Sequence, residues 1–186
     1  ASTIHDTSHH TIAWYHRDLS AADLAEAGRD TTGRRVLLHF GAVDYRCKVW
    51  LNGTFLGEHE GGHTPFSADI TSALNGNGRQ IVTVFVEDDP ADLAKPRGKQ
   101  DWQAEPHSIW YPRTTGIWQT VWLETVARTY VESIRWTPSV ENYSIRFEAC
   151  VGGDEAEDLA LDIRVAHGDR LLAHDRYRVV DAELDR

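Results

Sequence analysis

The apolar and polar positions of this chain follow a pattern that is almost wholly strand-like. Val36-Leu37-Leu38-His39-Phe40 is a short apolar run of strand length, and Lys48-Val49-Trp50-Leu51 is a second. The second run leads into Asn52-Gly53 and then Thr54-Phe55-Leu56-Gly57. Asn-Gly between two such runs predicts a tight hairpin, because a type I′ turn needs positive φ at both central residues. Gln80 to Val86 follows the turn-rich Asn75-Gly76-Asn77-Gly78 and alternates from Ile81. Residues 117–124 alternate too, with Ile117, Gln119, Val121 and Leu123 on one face and Trp118, Thr120 and Trp122 on the other. Further strands are predicted at 11–18, 131–137, 143–151, 159–166 and 170–180.

One stretch reads as helical. Ser20 to Gly28 offers an N-cap Ser, an acid at Asp23 and a terminal Gly, enough for one or two turns of connector. Many short strands joined by Gly- and Pro-bearing turns predict an all-β sandwich or jelly roll. A domain boundary is expected near Thr129. Residues 1–128 carry 12 basic and 16 acidic side chains, whereas 129–186 carry 7 and 13 in less than half the length. The second segment holds four predicted strands against the ~7 of an immunoglobulin-like sandwich, so it reads as a truncated second domain.

Composition narrows the function classes. The formal charge of −10 argues against nucleic acid and against anionic membrane surfaces, both of which need basic surface. No apolar run approaches the length of a membrane helix. The chain has no Met and begins Ala1-Ser2-Thr3 without the basic flank and apolar run of a signal peptide, so it is expected to be a piece of a longer protein. Cys47 and Cys150, 103 positions apart, alternate with apolar residues and read as buried strand positions rather than a disulfide, which points to a reducing, cytoplasmic setting.

The candidate chemistry lies between the strands at 81–86 and 117–124, in a loop from Glu87 to Gly116. Loops that long are usually functional or disordered, and this one is not composed like a linker. It holds Lys95-Pro96-Arg97-Gly98-Lys99-Gln100-Asp101-Trp102 and then Glu105-Pro106-His107-Ser108-Ile109-Trp110-Tyr111-Pro112-Arg113. Aromatic faces beside charged and amide groups suit a sugar, whose C–H faces stack on rings while its hydroxyls take hydrogen bonds. Arg97, Lys99, Gln100, Asp101, Trp102, His107, Trp110, Tyr111 and Arg113 are therefore the candidate substrate-binding residues. Arg97 and Asp101 could instead pair with each other to hold the loop.

Four motifs occur in order. They are Trp14-Tyr15-His16-Arg17; the segment 36–66 with Val49-Trp50-Leu51-Asn52-Gly53 and Gly61-Gly62-His63-Thr64-Pro65-Phe66; Asp69-Ile70-Thr71; and Gly116-Ile117-Trp118-Gln119-Thr120-Val121-Trp122-Leu123-Glu124. Together they resemble the N-terminal sugar-binding domain of glycoside hydrolase family 2, the β-galactosidases, β-glucuronidases and β-mannosidases. The resemblance implies a galactose-binding-domain-like jelly-roll β-sandwich at 1–128 followed by a partial immunoglobulin-like β-sandwich at 129–186. It also implies a parent enzyme whose paired carboxylates for retaining hydrolysis sit on a (β/α)₈ barrel. This chain shows no βα alternation that could supply such a barrel. It is expected to be catalytically silent, with a carbohydrate substrate and the barrel of its own parent chain as partners, and a homo-oligomer left open. In the β-galactosidase and β-glucuronidase branches this loop lends an acid to the active site. Counting six back from Gly116 lands on Trp110, and neither Asp101 nor Glu105 matches by spacing. Substrate identity is thus carried over from neither branch, and Trp110 is read as a stacking platform.

The remaining signals have plainer readings. Trp14, Trp50, Trp118, Trp122 and Trp136 are strand aromatics, expected to pack in the core or between domains and kept out of the site. His9-His10, His59 and His63 do not fall at a tight ligand spacing, so no metal and no cofactor is expected. Gly61-Gly62 before Pro65-Phe66 reads as a turn feeding a strand, and the acidic run 154–158 as a solvated loop. A loop whose barrel partner is missing is expected to be mobile. The rival readings are a free-standing carbohydrate-binding module and a purely structural scaffold.

Overall fold

The computed structural model describes residues 10–28, 33–76, 78–154 and 159–179, together with the backbone of Glu183–Asp185. His9, Asn77, residues 155–158 of the acidic run and the last residue of the strand expected at 170–180 lie outside the described residues. The chain divides into two compact units between Thr125 and Val126.

The first unit contains β1 (Ile12–Leu19), a short helix α1 (Ala21–Glu26), β2 (Arg35–Phe40), β3 (Val43–Asp44), β4 (Arg46–Leu51), β5 (Thr54–Glu60), β6 (Phe66–Asp69), a 3₁₀ turn (Thr71–Ala73), β7 (Gln80–Glu87), β8 (Gly116–Ile117) and β9 (Val121–Val126). Helix α1 closes on the predicted capping box: Ser20 Oγ accepts from the Asp23 N–H at 3.1 Å while the Asp23 carboxylate accepts from the Ser20 N–H at 2.7 Å. Four strands pair in the order β1-β7-β4-β5 and three in the order β6-β2-β9, while β3 and β8 form a two-residue pair of their own.

The sheets meet through every second residue. In β4, Cys47, Val49 and Leu51 are buried. They lie opposite Val86, Val84 and Val82 of β7, and Val36, Leu38 and Phe40 of β2 complete the core. Period two is strict in β4 and β7, as a half-buried sheet face requires, while β2 buries Leu37 as well, and the result is a β-sandwich. Asn52 and Gly53 take φ of 53° and 83° between the paired Leu51 and Thr54, the turn that Asn-Gly predicts.

Two features differ from expectation. The single strand expected at 117–124 is two, because β8 pairs with β3 whereas β9 lies beside β2; between them Thr120 O accepts the Gly41 N–H at 2.9 Å. The strand tryptophans are not core. Trp14, Trp118, Trp122 and Trp136 are all more than two-fifths exposed. Trp14 lies 5.9 Å from Trp50 and 4.9 Å from Phe85 on the outer face of the four-stranded sheet, and Trp122 stacks on His39 at 4.8 Å.

The second unit holds β10 (Thr129–Ser139), β11 (Ser144–Gly153), β12 (Ala160–His167), β13 (Arg170–Arg178) and β14 (Glu183–Asp185). β14 pairs with β11, which pairs with β10, and β12 pairs with β13. Its core is small: Phe147 and Ala149, with Leu161, Ile163 and Tyr177 packed against them. Cys150 is half-buried on β11, whereas Cys47 is fully buried; both thiols are free. Burial pushes the Cys47 thiol up to about 11 against a small opposing pull from the His59 backbone, so it behaves as a hydrophobe and not as a nucleophile.

Candidate functional site

The long connection from β7 to β8 leaves the sandwich at Glu87 and returns at Gly116, and it is braced from within. Asp101 is 2% exposed. Its Oδ1 accepts the Gln103 N–H at 2.9 Å, and its Oδ2 accepts the His107 N–H at 2.7 Å and faces His107 Nδ1 at 2.6 Å. Burial alone would raise this carboxyl, but the N–H groups of Gln103 and His107 and the His107 ring outweigh it and hold the group below the ordinary carboxylate range. The outgoing and returning limbs are stitched together: Tyr111 N–H donates to Lys99 O at 2.9 Å and Asp101 N–H to Tyr111 O at 2.8 Å. Arg113 adds a bond from Nε to Asp101 O at 3.2 Å, and its other arm reaches Trp102 O.

A second set of contacts ties the loop to the sheet. Gln100 Nε2 donates to Asp44 Oδ2 on β3 at 2.7 Å, and Gln100 Oε1 accepts the Thr114 N–H at 2.7 Å. Lys95 pairs with Asp88, both side chains buried, and its ammonium lies 5.3 Å over the Tyr45 ring. Burial pushes the Asp44 carboxyl above its ordinary range. The Gln100 hydrogen bond pulls it back, the charge of Asp88 adds to the rise, and His63 and Lys95 oppose it. Among Asp44, Asp88, Lys95 and Gln100 lies a cleft of about 20 Å³, the size of a water molecule rather than of a sugar ring.

The nine candidate residues therefore part company. Gln100 and Asp101 turn inward and brace the loop, and His107 and Arg113 assist them. Arg97 and Asp101 do not pair; Asp101 takes His107 and backbone N–H groups instead. Trp102 is exposed, with the edges of His107 and Trp110 at 5.1 and 5.3 Å. Tyr111, 63% exposed, and Lys99 face solvent, and Arg97 and Trp110 are half-buried. Three neighbours were missed by reading the sequence. Asp44 and Asp88 look like ordinary acids flanking strands, and only their pairing across 56 and 7 residues reveals the anchor. Trp118, set aside as packing, is 45% exposed; its Nε1 donates to Gly62 O at 2.7 Å and its ring meets His63 edge-on at 5.6 Å. A Cβ on Gly98 of the loop would sit 3.6 Å from the same His63. Among the described residues no group of three or more His, Cys, Asp or Glu could hold a metal ion, and no helix is long and apolar enough to cross a membrane.

A β-sandwich of this kind is also what comparison with known proteins finds. The family model of the glycosyl hydrolase 2 galactose-binding-like domain matches residues 4–119, well over half of the chain. The chain belongs to glycoside hydrolase family 2. Among curated relatives of this family 2 chain, a β-galactosidase of Thermoanaerobacter pseudethanolicus is 31% identical over 124 residues, covering 66% of the chain and 15% of that protein. A β-glucuronidase of Rattus norvegicus is 30% identical over 143 residues, covering 69% and 21%. The chain thus spans about a fifth or less of the length of these relatives. The solved β-glucuronidase of Parabacteroides merdae shares the fold with a TM-score of 0.72 at 14% identity, over 98% of this chain and 24% of that one. The family 2 chain is all-β, and what it resembles is the N-terminal domain of β-glycosidases.

Proposed function

We propose that this chain is the non-catalytic, substrate-side part of a longer family 2 enzyme, a retaining exo-β-glycosidase of β-galactosidase-like character. In this reading the 95–113 loop shapes the rim of a site whose two carboxylates lie on a (β/α)₈ barrel elsewhere in the parent protein. One observation carries the proposal. The loop is braced from inside by Gln100 and Asp101 while Trp102, Tyr111 and Lys99 are held out to solvent, an arrangement that fixes stacking and hydrogen-bonding groups without using them for folding. The two buried acids that brace the loop support a silent fragment. Asp101 already accepts from Gln103 and His107, and Asp88 is paired with Lys95, so neither is free to act as nucleophile or proton donor.

Two experiments test this. The chain by itself is expected to leave aryl β-glycosides intact; hydrolysis whose turnover tracks a clean preparation of it would overturn the silent role. In the parent enzyme, Trp110→Ala and Tyr111→Ala are each expected to raise KM several-fold, about the energy of one lost stacking contact. Unchanged KM and kcat in both would remove the rim and leave a structural scaffold. Glycan binding by the chain alone, on titration, would favour the free-standing module instead.

A further inference from the structure

Asp44 sits at the C-terminal end of the two-residue strand β3 and is 6% exposed. Its carboxylate is wedged against the Gly61-Gly62 turn, for a Cβ on Gly62 would lie 2.4 Å from Asp44 Oδ1. On the other side it accepts a hydrogen bond from a loop group, the Gln100 side-chain amide. The bonds that follow run in one direction. Thr114 N–H donates to Gln100 Oε1, and Gln100 Nε2 donates to Asp44 Oδ2, both at 2.7 Å. A backbone N–H can only donate and an ionised carboxylate can only accept, so the amide between them has a single orientation that satisfies both. Gln100 in turn lies between Lys99 and Asp101, whose backbones are bonded to Tyr111, so one side chain secures the outgoing limb and the returning limb together.

We propose that Asp44 is the positioning residue of the 97–114 loop: acting through the Gln100 amide, it holds both limbs in one arrangement on β3 without itself meeting a ligand. Only the loop's use as a substrate rim depends on the function proposed above; the positioning does not. The acceptor is a carboxylate held in a dry place, next to Asp88, where an amide or an apolar residue would be the cheaper occupant.

Amide hydrogen exchange of the whole 186-residue chain tests the proposal. Asp44→Ala is expected to speed exchange at Thr114, Asp101 and Tyr111 by about tenfold or more, while the β7 core amides keep their rates. Asp44→Asn, which retains a side-chain oxygen for Gln100, is expected to stay within about twofold of the wild type at the same amides. Should Asp44→Ala not fold, Gln100→Ala removes the same link from the loop side and is expected to free Thr114 equally. Loop amides that keep wild-type rates in these variants, or that quicken only together with the core, would overturn the positioning role. In the parent enzyme Asp44→Ala is further expected to raise KM and leave kcat within about twofold. Loosened loop amides with unchanged KM would leave the positioning intact and refute the rim.

Discussion

The side chain of Asn52 reaches three partners on two other segments. Nδ2 donates to Ala73 O at 2.9 Å and to Gln80 Oε1 at 2.6 Å, and Oδ1 accepts the Ile81 N–H at 2.9 Å. Gln80 is itself fully buried and turns its amide back on Asn75 and Gly78. The hairpin role of Asn52 is legible because it is local: two adjacent residues with positive φ. Its role as a bridge is not, because the partners stand 21 to 29 positions away and nothing in their spacing names them. Asn52→Ala leaves Gln80 and the Ile81 N–H short of a partner and puts a Cβ at φ of 53° that lacks the local bonding of Asn. A loss of about 2–4 kcal/mol in urea unfolding is expected. Asn52→Gly keeps the backbone conformation and should recover about 1 kcal/mol of that loss. If Asn52→Ala lay within about 0.5 kcal/mol of the wild type, the side-chain bridge would be ornamental and the backbone turn sufficient.

At the scale of elements, strands long enough to carry a pattern were readable and the shortest were not. β2 and β4 announce themselves as apolar runs of strand length and β7 by its alternation. Helix α1 is readable for a different reason, since Ser20 and Asp23 stand at the fixed offset of a capping box. β3 and β8 are two residues each, too short for a period, and they carry the turn from one sheet to the other. That transfer also misled the reading of 117–124. Alternation continues through the segment while its hydrogen-bond partner changes from β3 to β2, so Trp118 at the break comes to lie beside Gly62 and His63 rather than inside a face. The loop's aromatic display was legible from composition. Its anchors were not, because Asp44, Asp88 and Asp101 resemble surface acids until the fold supplies Gln100, Lys95 and His107.

For the molecule as a whole, those anchors set an opposed response to acid. Asp101 is held below its ordinary value of 3.8, so its contribution to stability is complete above that value and is lost as pH falls through its depressed folded pKa. Asp44 is raised above 3.8, and its sign is reversed: its contribution is complete below 3.8 and is lost as pH rises through its folded pKa. One acid therefore braces the loop at neutral pH while the other imposes a cost there. Thermal unfolding of the wild type, Asp101→Asn and Asp44→Asn between about pH 7 and 2 separates them, the Asp101 gap moving only below 3.8. Asp101→Asn is expected to melt below the wild type at pH 7, with the gap closing as the medium is acidified, because the wild type loses what the variant never had. Asp44→Asn is expected to melt at or above the wild type at pH 7, with its advantage shrinking over the same descent. The pairs Asp18–Arg79 and Arg46–Glu60 are solvent-exposed and identical in all three proteins, so they cancel from the differences. Gaps that ran in parallel with pH, or did not move at all, would mean that these two carboxylates do not set the response to acid.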